Sequence, residues 1–281
     1  MISSMSGMNS VQERIDTISH HIANLNTPGF KRKDSVFEDL LYQAQQQPDK
    51  FRKNDRLTPQ GINVGNGTRL SRDVLQFTQG NLNQTGNTLD FAIEGDAMFE
   101  IASSQVNGDG TINTQTKYTR DGAFRLTTQP GDLDNGYLVT QDGYFVRNMA
   151  DDLPIRIPKN YDIKIDNDGR IFARQGMETL QVGQVKVVRV LRPQSMIPAG
   201  GNMYQIDPSA NNGANQIVTP FRGNQVGLNS IKIHQGSLEM SNVDMGTEMS
   251  ELIVMQRAFQ LNSRALQTSD QMMGIASNLR A

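Results

Sequence analysis

Near the amino end, apolar residues recur at Met8, Val11, Ile15, Ile18, Ile22 and Leu25, spaced alternately by three and four positions. That alternation lines one face of a helix, and no strand produces it. Asn9, Gln12, Glu13, Arg14, Asp16 and His20 fall between these positions, so the other faces are polar. The seam ends at Asn26-Thr27-Pro28-Gly29, where proline restricts the residue before it and glycine permits a turn. After Lys31-Arg32-Lys33, a second short amphipathic piece carries Val36, Phe37, Leu40 and Leu41.

The carboxyl end repeats the helical pattern. Leu252, Phe259, Leu266 and Met273 recur every seven residues, and Ala258, Ala265, Met272 and Leu279 do the same on an adjacent stripe. No proline falls between Asn242 and Leu279, so one long helix of ~35 residues, roughly 50 Å in length, is predicted there.

Between the ends the period changes. Asp90 to Ile101, Gly136 to Val146, Asp162 to Ala173 and Gln181 to Leu191 are β-branched, aromatic or alternating, the pattern of strands. Asp-Gly pairs at Asp109-Gly110, Asp121-Gly122, Asp142-Gly143 and Asp168-Gly169 punctuate them, and this dipeptide favours tight hairpins. Residues 43–66 are polar, with Gln45-Gln46-Gln47-Pro48 and Thr58-Pro59-Gln60-Gly61. Such a stretch reads as an extended connector or a surface loop. The expected division is a helical segment 1–42, a connector 43–78, a β domain 79–236 and a helical segment 237–281. The fold class is α+β: terminal α-helices forming a coiled-coil pair, with a central, mainly antiparallel β domain.

Burying one seam does not repay the ordering of a helix some 20 residues long. The amino helix therefore needs a partner, and the heptad stripes at the opposite end of the chain offer one. Two arrangements fit the periodicity: a two-helix hairpin docked on the β domain, or a pair completed by neighbouring subunits, since two stripes exceed what one partner covers.

Composition removes several functions. The 281 residues carry 27 basic and 29 acidic side chains, a formal net charge of −2, which disfavours a nucleic-acid surface. Cysteine is absent, so disulfides, thiolate metal sites and cysteine nucleophiles are excluded. Asn and Gln together number 49, so the surfaces hydrogen-bond more than they carry charge. No apolar run approaches the ~18 residues of a membrane span. Residues 1–10 lack the basic and apolar regions of a cleaved secretory signal, although specialised export systems read other addresses.

Candidate chemistry is sparse. His20 and His21 are adjacent and His234 is remote, which does not suit a metal site; two exposed helix histidines are expected. Asp166-Asn167-Asp168-Gly169 resembles a calcium loop, but its first ligand position falls on Lys164 and its twelfth on Gln175, so it reads as a turn. Neither a phosphate loop nor a Gly-x-Ser-x-Gly elbow occurs. Carboxylate pairs such as Asp151-Asp152 keep a glycosidase open, and its mark would be two facing buried acids in a cleft. No catalytic residue, cofactor or metal ion is expected.

Ala23-Asn24-Leu25-Asn26-Thr27-Pro28-Gly29-Phe30-Lys31, closing an amphipathic helix, resembles the signature of the bacterial flagellar basal-body rod and hook family. Phe37 to Gln43, Gln79 to Thr85, Asp90 to Gly95, Tyr118 to Phe124, Leu238 to Asp244 and Met255 to Phe259 with Asn262-Ser263 resemble further family blocks in the same order. Together they span nearly the whole chain. The family comprises axial structural proteins, exported through the flagellar type III apparatus and placed in the basal body outside the cytoplasmic membrane. Their terminal helices pair into an inner coiled-coil tube with the β domain outside.

The resemblance implies self-association and contacts with other rod and hook subunits, without nucleic acid or membrane insertion. It assigns Met8, Val11, Ile15, Ile18, Ile22 and Leu25 to one assembly seam and Leu252, Phe259, Leu266 and Met273 to its partner. Asn24, Asn26, Pro28 and Gly29 would shape the turn out of the tube. Residues 43–66 would pack between subunits. His20-His21 stands where the family commonly has paired asparagines, and Ala97-Met98 where a glycine and an aromatic are usual. Length and the Phe37–Gln43 block favour the distal-rod branch over a proximal rod or hook subunit. The rival outside the family is a secreted β-rich binding module, a stable monomer with protected termini.

Overall fold

Two helices bracket a run of short strands in a computed structural model that describes residues 2–40, 42–45, 62–65, 67–106, 112–129, 132–159, 161–207, 217–221 and 231–279. Helix α1 is Ile2–Ala23 and helix α2 is Met245–Asn278. The chain folds as two compact units, each assembled from distant segments. The first comprises Met1–Ala23, Lys33–Val74 and Asp244–Ala281; the second comprises Asn24–Arg32 and Leu75–Val243.

In the first unit α2 starts where Asp244 caps it. The Asp244 carboxylate accepts the Thr247 N–H at 3.0 Å, satisfying one of the orphan donors of the first turn. The Thr247 hydroxyl and N–H hold the Asp244 carboxyl below its ordinary pKa. Lys33–Asp39 is a strand paired with Thr68–Leu75, not the continuation of a helical segment through residue 42. Here a pairing partner overrides the amphipathic spacing of Val36 and Phe37, and both remain more than 40% exposed. Within the expected connector, Tyr42–Gln45 pairs antiparallel with Ile62–Gly65. Residues 46–61, the heart of that expectation, lie outside the described residues.

The second unit is built around the strand Ala97–Val106. Ile112–Thr119 pairs along one side of it, with Phe99 opposite Thr119. The other side is shared by Val187–Val190 and Phe145–Val146. Asp162–Ile165, Arg170–Gln175 and Glu178–Gln184 form a separate three-stranded sheet. Two further strand pairs bring late residues onto early ones: Lys232–Gln235 on Phe91–Glu94, and Ser237–Glu239 on Leu82–Gln84. All these pairings are antiparallel, as the Asp-Gly punctuation predicted. Gly143 (φ +83°) and Gly169 (φ +80°) take the left-handed conformation at two of the four pairs. Asp109-Gly110 lies outside the described residues.

Alternation along Ala97–Val106 divides the core in two. Phe99 and Ile101 join Phe91, Ile93, Phe124, Leu138, Ile157 and Ile171 on one face. Met98 joins Tyr118, Val188, Tyr204 and Ile217 on the other.

Candidate assembly site and chain junction

Within the first unit α1 meets α2 along a line that is more polar than the seam read from the sequence. The buried positions of α1 are Ser10, Arg14, Ile18 and His21, spaced by four, four and three and therefore on one face. Of the expected seam, Ile18 is fully buried, whereas Met8, Val11, Ile15 and Ile22 are half-buried. On α2, Leu252, Phe259 and Leu266 are half-buried and Met273 is 62% exposed. Among the described residues, one ion pair and one histidine–carboxylate hydrogen bond link the helices. Arg14 Nη2 reaches Glu251 Oε2 at 2.7 Å, and His21 Nδ1 lies 3.1 Å from Glu248 Oε2.

His21 is thus not an exposed helix histidine. It is 1% exposed, while its neighbour His20 faces outward. Its Nε2 accepts the Lys33 N–H at 3.1 Å, which leaves the proton on Nδ1 and makes that nitrogen the donor to Glu248. One imidazole thereby ties α1 to α2 and to the strand after the signature. His21→Leu keeps the bulk and removes both bonds. It is expected to cost about 1–3 kcal/mol, read as a lowered urea midpoint of the helical circular-dichroism signal.

The outer face of α2 is apolar without being covered. Val254, Leu261, Met272, Ile275 and Leu279 are 57%, 64%, 64%, 62% and 84% exposed. With Ala258, Ala265 and Thr268 between them, they repeat by alternating steps of four and three, the spacing of a heptad stripe.

The signature turn belongs to the second unit, where three segments converge. Gly29 N–H donates to Glu239 O at 2.8 Å, and Asn202 Nδ2 donates to Pro28 O at 3.0 Å. The Arg32 N–H donates to Asn242 Oδ1 at 2.8 Å. Gly29 has φ +70°, and a Cβ there would lie 2.5 Å from Asp121 N. Only glycine permits that approach. Asn24 and Leu25 are half-buried and Asn26 is exposed; Thr27 N–H donates to Asn24 O at 3.2 Å as the turn begins.

At the centre of this junction Lys31, Arg120 and Glu239 are buried together, with side chains 0%, 2% and 0% exposed. Lys31 Nζ donates to Glu239 Oε1 at 2.7 Å and to Thr78 O at 2.8 Å. Arg120 Nε donates to Glu239 Oε2, Nη1 to Ala97 O, and Nη2 to Ile93 O at 3.1 Å. The Gly80 N–H completes the shell of Glu239 Oε1 at 2.9 Å. Burial pulls the Lys31 pKa below its ordinary value; Glu239 opposes that shift and the neighbouring Arg120 adds to it. One carboxylate thus holds two buried cations, joining the signature, the central Tyr118–Phe124 block and the Leu238–Asp244 block.

No motif points to this triad, although all three residues lie inside the family-like blocks. A lone Lys, Arg and Glu some hundred residues apart carry no spacing signal. Two other buried carboxylates also face donors: Asp90 accepts from the Thr85 hydroxyl at 2.6 Å, and Glu100 from Arg147 at 2.9 Å. Among the described residues, no three His, Asp or Glu side chains gather to hold a metal ion.

Comparison with known proteins agrees with this architecture. Residues 1–31 match the family described as flagella basal body rod protein, residues 92–173 the flagellar hook protein FlgE/F/G D1 domain, and residues 234–279 the flagellar basal body rod FlgEFG protein C-terminal region. The flagellar basal-body rod protein FlgG of Borreliella burgdorferi is 36% identical over 281 residues, covering 98% of this chain and 96% of that protein. FlgG of Agrobacterium fabrum is 36% identical, covering 96% and 95%. The flagellar hook-basal body complex protein FlhP of Bacillus subtilis is 34% identical, covering 100% and 98%.

The chain belongs to the flagellar basal-body rod family and is a structural subunit of the basal body. Within that family its full-length likeness to FlgG proteins places it in the distal-rod branch.

Proposed function

We propose that α1 and α2 pair as a coiled coil and that the outer stripe of α2 receives helices of neighbouring copies, so that the chain polymerises into the axial shaft of the flagellum. The observation that carries this reading is the uncovered heptad stripe Val254, Leu261, Met272, Ile275 and Leu279. Five large apolar side chains in register on one helix face are a surface built for burial. The ordering cost of the terminal helices is then met at assembly, through head-to-tail contacts that do not close.

In this reading the chain has no enzymatic activity. Its partners are other rod and hook subunits, with the flagellar type III apparatus as the route of export. Met8, Val11, Ile15, Ile22, Leu252, Phe259 and Leu266, half-buried in one copy, lose their remaining exposure in the polymer, as does Met273. Asn24, Asn26, Pro28 and Gly29 shape the turn that follows α1.

The test is sedimentation and electron microscopy of concentrated protein. Leu261→Asp and Met272→Asp lie at exposed positions and leave the β unit folded, since surface changes of this kind stay within about 0.5 kcal/mol. Loss of filaments in both variants is the expected result. Filaments formed at the wild-type concentration by both, or a wild-type monomer whose two ends resist proteolysis along their full length, overturns the reading.

A further inference from the structure

The three-stranded sheet of the second unit carries a projection and a hollow that suit each other. In its second hairpin Gln175 pairs with Glu178, leaving Gly176 and Met177 as a two-residue loop. Gly176 has φ +63°, the conformation that the first central position of such a loop requires. Met177 at the apex is completely exposed, and Leu180 is 53% exposed.

On one face of the same sheet, a cavity of about 400 Å³ is lined by Lys164, Ile165, Asp166, Phe172, Arg174 and Thr179. Lys164 stands directly opposite Phe172 in the register, and Arg174, two residues further along the strand, points to the same side. The hollow is therefore an aromatic floor between two cations, with Asp166 at one end.

We infer that this is a contact between copies: the Met177-Glu178 tip of one chain enters the Phe172 hollow of the next. The thioether packs on the ring, a favourable sulfur–aromatic contact, and the Glu178 carboxylate meets Lys164 and Arg174. Tip and hollow belong to one three-stranded sheet, the tip at the end of its second hairpin and the hollow on its face, so the tip cannot fold back into its own hollow, and the occupant is a second copy. Because they are different patches, the contact is heterologous and repeats without closing. The inference rests on the polymerising role proposed above and adds a second contact, on the β unit, to the helical one.

The absence of cysteine makes the test clean. A Met177→Cys chain and a Lys164→Cys chain, mixed under assembling conditions and mildly oxidised, are expected to give a disulfide-linked dimer containing one of each; either chain alone gives none. Met177→Asp is expected to raise the concentration needed for assembly at least tenfold, whereas Met177→Leu leaves it unchanged. Glu178→Lys weakens assembly, and Lys164→Glu with Arg174→Glu in the same chain restores it. Normal assembly by Met177→Asp, with no mixed dimer, overturns this contact and leaves the helical reading standing. A wild-type chain that remains monomeric at every concentration overturns both.

Discussion

Glu239→Gln is expected to destabilise the β unit by about 3–5 kcal/mol, the usual cost of removing one partner from a buried ion pair. The substitution keeps the shape and leaves the Lys31 ammonium and the Arg120 guanidinium buried without their shared carboxylate. Lys31→Met breaks the same Lys31–Glu239 bond and is expected to cost far less. Burial already disfavours the Lys31 charge, an apolar side chain of similar length relieves that penalty, and Glu239 keeps Arg120. Urea unfolding followed by far-ultraviolet circular dichroism measures both. Equal losses for the two variants, or a loss below about 1 kcal/mol for Glu239→Gln, contradict the role given to this carboxylate.

Gly122→Ala should be nearly as damaging, for a steric reason. A Cβ at Gly122 would overlap the carbonyl oxygen of Phe91, and Phe91 N–H already donates to Gly122 O at 3.0 Å. Two backbones therefore touch with no side chain between them, inside the core that contains Phe91 and Phe124. Forcing a methyl group in is expected to cost about 3 kcal/mol. Gly143→Ala is the control. Its φ of +83° makes it a strained position, but a Cβ there meets open space, so only the left-handed penalty of about 1–2 kcal/mol applies. Thermal melts of the two variants separate crowding from conformational strain, and a Gly122→Ala loss no larger than that of Gly143→Ala refutes the crowding account.

Periodicity delivered the elements whose character is local. The three-and-four spacing from Met8 to Ile22 and the uninterrupted run after Asn242 mark α1 and α2, because a helix repeats its own face. Alternation from Asp90 to Ile101 marks two of the strands that build the core. Where pairing depends on a distant segment, pattern misleads: Val36 and Phe37 read as part of a helical segment, yet Thr68–Leu75 draws Lys33–Asp39 into a ladder. The polar line of α1 was hidden for a related reason. Arg14 and His21 look like the solvated face of an amphipathic helix until Glu251 and Glu248 arrive from the far end of the chain. Lys31 lay inside a recognised signature, but its burial follows from Arg120 and Glu239, which no local spacing connects to it. Met177 carries no local signal, since a methionine in a turn announces nothing until the loop is seen to lift it clear of its neighbours.

The ties that close both units are remote in sequence: Arg14 meets Glu251 across 237 positions, His21 meets Glu248 across 227, and Lys31 meets Glu239 across 208. Contacts of such high order form slowly, because a long loop must close before they give anything back. A ribosome that has made the first two hundred residues has therefore produced a polypeptide with none of these latches available. Closure of both units therefore waits until Glu239, Glu248 and Glu251 have been made.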